Sequence, residues 1–341
     1  MKKMKIAVIA PIFLPIPPKK YGGTERVVHE LVEGLVKEGH DVTLYATGDS
    51  QTSATLKSFF KTEQKDSFSM IRHLSLSLRD VYETGDFDLV HNHIQNLALM
   101  TDAYAGLKAL TTLHLDLPLV YKEPEFNNEH HKFCAISHDQ AKRSNEAGIN
   151  IDYVVYNGLD FPDLPTKKAD FKGEYLAFLG SVRACKGTHH AIEAAIKAGY
   201  LLKIAGTLME KEYFLEKIYP FIESGQVEYV GELNDQEKFD FLVRSQGMLF
   251  PISWHEPFGL VVLESLACGT PVIAFDNGSP SELIEDGISG FLVQDVEQMV
   301  ERIKYLPELS SADCQQRAKK FLSAAMVEGY LQVYQDLLRG N

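Results

Sequence analysis

The sequence predicts an α/β protein with two doubly wound parallel-sheet domains facing one another across a cleft. Three observations carry that expectation. Short apolar runs alternate with helical patterns along the chain, the pattern breaks near 157–170 and then restarts, and 341 residues suit two domains of ordinary size. Strands that alternate with helices form parallel sheets covered on both faces. The expected boundaries are 1–160 for a first domain, 161–323 for a second, and 324–341 for a terminal helix packing back across the domains. The restart is architectural; no convincing internal repeat accompanies it.

Lys5–Ala10 is a buried strand, an apolar run stopped by Pro11. Lys2, Lys3 and Lys5 ahead of uncharged Ile6–Pro18 superficially resemble a signal peptide. Pro11, Pro15, Pro17 and Pro18 interrupt that run, no small-x-small cleavage site follows, and its 13 residues are too few to cross a bilayer. Thr24–Glu38 places Val27, Val28, Leu31, Val32, Leu35 and Val36 on one helical face, with Gly39 at the C-cap position. Further strands are expected at Asp41–Ala46, Asp88–His91, Leu110–Leu113, Phe133–Ile136 and Tyr153–Tyr156. Between them Lys57, Lys61 and Lys65 fall at i, i+4 and i+8 beside Phe59, Phe60 and Phe68. That spacing reads as a solvated helix face, with weak peripheral contact to an anionic membrane surface as its functional alternative.

After Pro162–Asp170, strands are expected at Tyr175–Leu179, Leu201–Ala205, Val227–Val230, Met248–Pro251, Pro271–Phe275 and Gly290–Val293. Helical stretches fall at Thr188–Ala198, Lys211–Glu223, Asp235–Ser245 and Gly259–Ala267, and Ala324–Arg339 is amphipathic. In open parallel sheets, ligands bind beyond the carboxyl ends of the strands, so chemistry is expected in the loops that follow them.

Apolar residues make up 45% of the chain and charged residues 24%, which excludes disordered and disulfide-stapled classes. Up to Asp160 there are 17 basic and 21 acidic residues, and beyond it 17 and 26, for net charges of −4 and −9. Neither half offers the positive field that nucleic acid needs, so any anionic ligand must be held by a few local donors. Cys134, Cys185, Cys268 and Cys314 form no C-x-x-C, which fits a reduced, cytoplasmic compartment.

Phe250–Thr270 is the segment richest in chemistry. A loop with Trp254, His255 and Glu256 leads to Phe258–Gly259–Leu260, which open a helix that carries Glu264 among apolar neighbours. A carboxylate inside such a helix is costly unless it is paired or hydrogen-bonded. The adjacent hydroxyls of a ribose would suit it, as would the capping of another backbone segment. The unpaired N–H groups at Phe258–Leu260 suit a phosphate or sugar oxygen. In Phe178–Gly187, Arg183 and Lys186 stand after a strand and a glycine turn, suited to a diphosphate or simply to solvent. Gly22–Gly23 lets backbone N–H groups approach a ligand oxygen, but the G-x-G-x-x-G spacing of a dinucleotide site is absent. His91, His93 and His114 follow apolar runs, with no accompanying zinc pattern. Asp86 and Asp88 form a D-x-D at the amino end of their strand, a place for solvation rather than metal.

E-P-F-G-L-x-x-x-E at Glu256–Glu264, C-G-T-P-V-I-A at Cys268–Ala274 and the run Ser281–Val293 resemble the signature of family 4 glycosyltransferases with the GT-B fold. Y-G-G-T-E-R at Tyr21 and Y-N-G-L-D at Tyr156–Asp160 extend the resemblance in order over nearly the whole chain. It implies two Rossmann-like domains and a retaining transferase. A UDP-, GDP-, ADP- or TDP-linked sugar would sit in the second domain and a saccharide, lipid or small-molecule acceptor in the first, with no metal or other cofactor. Glu256, Lys186 and His114 would carry catalysis. Gly23, Arg183, Lys186, Glu256, Phe258, Gly259, Leu260 and Glu264 would bind the donor, with Gly22 and His93 on the acceptor side; His93 suits a structural role equally well. Ser181 stands where the family usually has arginine, and Arg183 is its proposed substitute. A nucleotide-sugar epimerase, a phosphorylase and a non-catalytic sugar-binding protein share enough of this pattern to remain alternatives.

Overall fold

A computed structural model describes residues 3–20, 22–95, 106–115, 131–161 and 173–339. Tyr21 and the 162–170 linker lie outside the described residues. The chain divides into two compact units, Met1–Asp160 with Leu322–Asn341, and Phe161–Phe321.

In the first unit, β1 (Lys5–Ile9) leads to α1 (Gly23–Lys37), β2 (Asp41–Tyr45), β3 (Thr55–Lys57) and α2 (Ser67–Thr84). There follow β4 (Leu89–Asn92), β5 (Ala109–Leu113), β6 (His131–Ala135), α3 (His138–Glu146) and β7 (Tyr153–Val154). The strands pair in parallel in the order β3-β2-β1-β4-β5-β6-β7. The order reverses between β1 and β4, so their two outgoing loops part there and leave room for a ligand. The β1 run is buried along Ile6–Ile9, as a strand covered on both faces must be.

The three spaced lysines do not lie on a helix. Lys57 lies in β3, pairing in register with Tyr45, and Lys61 and Lys65 are loop residues. The helix starts only at Ser67, where the Asp66 carboxylate accepts the Ser69 N–H at 2.8 Å as an N-cap. Lysines at i, i+4 and i+8 therefore share no helix face. The Asp86 and Asp88 carboxylates hold the first residue of β1: Asp88 accepts the Lys5 backbone N–H at 2.7 Å, and Asp86 pairs with its ammonium.

In the second unit, β8 (Tyr175–Leu179) is followed by α4 (Thr188–Ala198), β9 (Leu202–Ala205), α5 (Lys211–Lys217), α6 (Tyr219–Glu223) and β10 (Val227–Gly231). Next come α7 (Asp235–Val243), β11 (Ser245–Phe250), α8 (Leu260–Ala267), β12 (Val272–Phe275), α9 (Pro280–Leu283), β13 (Gly290–Val293), α10 (Val296–Ile303) and α11 (Ser311–Ala318). The single helix expected over Lys211–Glu223 is broken at Ile218, ahead of Pro220. The sheet order is β10-β9-β8-β11-β12-β13, again parallel, with the reversal between β8 and β11. Phe178, Ile204, Leu249, Ile273 and Met299 lie within its core.

The last helix, α12 (Ser323–Arg339), belongs to the first unit. It lies against α1 at Gly34, where an added Cβ would meet a Val327 methyl at 2.4 Å. Its Tyr330 and Tyr334 are fully buried. The Tyr334 hydroxyl lies 2.6 Å from Nδ1 of His91, whose Nε2 lies 2.7 Å from the Thr112 hydroxyl. His91 is thereby satisfied at both nitrogens and serves the core.

Burial pushes His91 down to about 3 and His73 down to about 4. Unfolding returns both to ordinary values near 6.5, so the unfolded chain takes up protons that the fold refuses. This contribution to stability is complete above about pH 6.5 and declines as the pH falls toward 4. The melting temperature, followed by circular dichroism, should drop over that window; a flat profile would contradict neutral burial of these rings.

Candidate functional site

Three strand-end loops of the second unit are stitched together. Gly187, at φ +71°, ends the turn after β8 and opens α4. A Cβ there would lie 1.8 Å from the Pro251 carbonyl oxygen, so glycine permits both the left-handed turn and the close approach to the loop after β11. Ser253 strengthens the seam, its N–H donating to the Cys185 carbonyl at 2.9 Å. The loop after β12 joins from the other side. Glu256 N–H donates to Asn277 O at 3.2 Å, and Ser279 N–H donates to Glu256 O at 3.0 Å. Gly187→Ala should therefore cost at least about 1–2 kcal/mol from the left-handed φ alone. The urea midpoint reads this, and a wild-type midpoint would contradict the packing.

The seam places Lys186 and Glu256 together. The ammonium lies 2.6 Å from Glu256 Oε2, which also accepts the Trp254 indole N–H at 2.9 Å. The same ammonium sits 4.7 Å from the centre of the Trp254 ring. Both side chains are mostly buried. Arg183 is extended just before the turn, and its buried Nε has no hydrogen-bond partner. A cationic donor left unpaired at a strand end is suited to an anion that arrives later.

Eight residues beyond Glu256, Glu264 lies in α8 with its side chain 7% exposed. Burial without a partner would be costly, and the partner is Lys238 of α7, which ion-pairs with Glu264 and lies 3.1 Å from Asp235. The sequence reading missed Lys238, which stands 26 residues away on another helix. α7 is fixed by a capping box between Asn234 and Glu237. Gly259, at φ +90°, precedes α8 and accepts the Val262 N–H at 2.9 Å, and Ser279 Oγ donates to Phe258 O at 2.6 Å.

In the first unit, the loops after β1, β4 and β5 and the first turns of α1 and α2 line a cavity of about 250 Å³. His93 and His114 stand on its wall, with His93 Nδ1 2.9 Å from His114 Nε2. Burial pushes His114 down to about 4 and His93 well below its ordinary range, so both rings are neutral at pH 7. Gln95 fixes the His114 backbone, its Oε1 accepting the His114 N–H at 2.6 Å and the Leu115 N–H at 2.7 Å. Gly22 caps α1, and Gly23 is its first residue. Glu25, which the helical pattern concealed, also lines the cavity; burial raises its carboxyl.

Thus Lys186, Glu256, Arg183 and Phe258–Leu260 belong to one set of loops, Glu264 to the helix they lead into, and His93, His114, Gly22 and Gly23 to the first unit. Among the described residues, no three His, Cys, Asp or Glu side chains gather as a metal-binding group, and no helix is long and apolar enough to cross a membrane.

Known proteins match both halves. The model of Glycosyltransferase Family 4 matches residues 21–161, and that of Glycosyl transferases group 1 matches 163–321. An uncharacterized 41.2 kDa protein from the cps region of Klebsiella pneumoniae is 25% identical over 355 residues, covering 92% of this chain and 97% of that protein. AviGT4, a glycosyltransferase involved in avilamycin A biosynthesis, shares the fold at a TM-score of 0.75 and 23% identity, with 99% of each chain covered. Anabaena HepE, solved with UDP and glucose, does so at 0.72 and 18%, covering 97% of this chain and 99% of its own. Two parallel-sheet domains, the signature loops at their strand ends and family models meeting within two residues of each other lead to one assignment: the chain belongs to glycosyltransferase family 4 and has the GT-B fold.

Proposed function

We propose that this glycosyltransferase moves a hexosyl-type sugar from a nucleotide-sugar to an acceptor hydroxyl, with retention of configuration and without a metal ion. One observation carries the reading: the Lys186 ammonium is held at the switch point of the second sheet, 2.6 Å from Glu256, by the stitched loops after β8, β11 and β12. The second unit binds the donor and the first the acceptor.

In this scheme Lys186 and Arg183 stabilise the charge that grows on the diphosphate as its bond to the sugar C1 breaks. The amides of Gly259 and Leu260 orient the donor with Phe258, and Glu256 accepts its sugar hydroxyls. Lys238 engages Oε1 of Glu264, which leaves Oε2 to accept the ribose hydroxyls. An acceptor hydroxyl attacks C1 from the face the phosphate leaves, and its proton passes to the departing phosphate oxygen. Fixed cations and amides then do the work of a metal without reorganising. HepE's complex with UDP and glucose, in a protein of the same fold, supports a nucleotide-sugar donor.

A thermal-shift panel of UDP-, GDP-, ADP- and TDP-linked sugars tests this. One of them, at 100 times its dissociation constant, should stabilise the chain by about 2.7 kcal/mol, with or without EDTA. The product's anomeric coupling by NMR should match that of the donor. No shift with any donor would contradict the reading, and donor conversion to an epimer without acceptor would replace it with the epimerase.

A further inference from the structure

We propose that the cavity of the first unit takes an uncharged, hydroxyl-bearing ring of about one sugar residue as the part of the acceptor that receives the transferred group. This rests on the transferase reading and adds the class of acceptor. At about 250 Å³ the cavity lies below the roughly 300–1,000 Å³ of sites for drug-sized ligands, so one ring fills it.

Its wall divides into apolar and polar parts. Pro11, Phe13, Met70, Ile94 and Leu115 supply apolar surface, with Phe13 at 45% exposure and Leu115 at 49%. Such surface suits the C–H face of a sugar ring. Hydrogen-bonding groups come from Glu25, His93 and His114, together with Thr24 and Ser67. His93 is 2% exposed, and its Nε2 has no hydrogen-bond partner. A buried ring nitrogen left open on a cavity wall is unfavourable unless a ligand or water answers it, and a hydroxyl can answer as donor or acceptor. Gln95 does not compete for that hydroxyl through its oxygen, which is committed to the His114 and Leu115 amides.

Charge selects among hydroxylated rings. No lysine or arginine lines the cavity among the described residues. The buried histidines carry no charge at pH 7. The positive end of α1 is already met by Glu25 in its first turn. A carboxylate or phosphate on the ring would lose its water and find no cation in return among the described residues of the wall. His93 is thus a positioning residue for the acceptor, and the ring belongs equally to a free saccharide or to the sugar end of a lipid-linked one.

Saturation-transfer NMR on the full chain, without donor, tests the assignment. The probes are methyl glycosides of glucose, galactose, mannose and N-acetylglucosamine, set against glucuronate, L-malate and glycerol 3-phosphate. At least one uncharged glycoside should bind at least 5-fold more tightly than every anionic probe. His93→Gln should weaken it at least 5-fold while leaving the nucleotide-induced thermal shift in place, a split that a merely structural histidine would not produce. Leu115→Lys, at an exposed lining position, should narrow the preference over anionic probes. Tighter binding of any anionic probe, or uncharged binding indifferent to His93→Gln, would overturn the proposal. Loss of nucleotide binding alone would count against the transferase reading and leave the probe result standing. Turnover of a lipid-linked acceptor from anionic vesicles, compared with the free saccharide, distinguishes the two sources of the ring.

Discussion

Lys186→Ala should lower kcat by about 10²–10³-fold, the usual loss when one preorganised donor to a developing negative charge is removed. The effect is expected mainly in kcat because the ammonium gains most when the diphosphate departs. Two features of the site sharpen this. Lys186 is the direct ion-pair partner of Glu256, so the variant also frees a mostly buried carboxylate. Trp254 still donates to Glu256, which limits the rearrangement. A Lys186→Arg variant keeps the charge, but the planar guanidinium does not reproduce a compact ammonium beside Trp254, so only partial rescue is expected. Steady-state kinetics with saturating acceptor reads both. Near-wild-type turnover of Lys186→Ala would remove the leaving-group role.

Lys238→Met should destabilise the second unit by about 3 kcal/mol. The substitution fills similar space and strands the Glu264 carboxylate, which is 7% exposed, without its cation. A urea titration should show a lower midpoint at unchanged slope. Adding Glu264→Leu to Lys238→Met should recover most of that stability, because two apolar side chains replace a buried pair without leaving a charge behind. The recovered double variant then separates stability from function. It folds, yet it lacks the carboxylate proposed for the ribose, so its nucleotide affinity by calorimetry should remain weak. Wild-type affinity in the double variant would remove Glu264 from the ribose.

Apolar periodicity reports burial, and burial made most of this fold legible. Tyr175–Leu179, Gly290–Val293 and Thr188–Ala198 occupy the expected residues because continuous apolar runs and a clear helical face leave little choice. β3 escaped notice because it has three residues and no fully buried one. The spacing of Lys57, Lys61 and Lys65 misled because charge periodicity carries no packing energy, whereas the Asp66 cap marks where the helix begins. Pairing across elements is harder to read than burial. The pattern showed that Glu264 needs a partner, but only the packing of α7 beside α8 identifies Lys238. Glu25 sat unnoticed on an amphipathic helix because a helical wheel does not reveal that its first turn borders a cavity. The signature loops are legible for the opposite reason. Their glycines meet local demands, such as the left-handed turn at Gly187, and local demands are written in local sequence.

The most direct measurement is a crystal structure of the chain with the nucleotide-sugar that stabilises it best in the thermal-shift panel. A Glu264 carboxylate oxygen should lie within hydrogen-bonding distance of the ribose hydroxyls, with the Lys186 ammonium on the diphosphate. A donor bound with its ribose and diphosphate away from both side chains would contradict that arrangement.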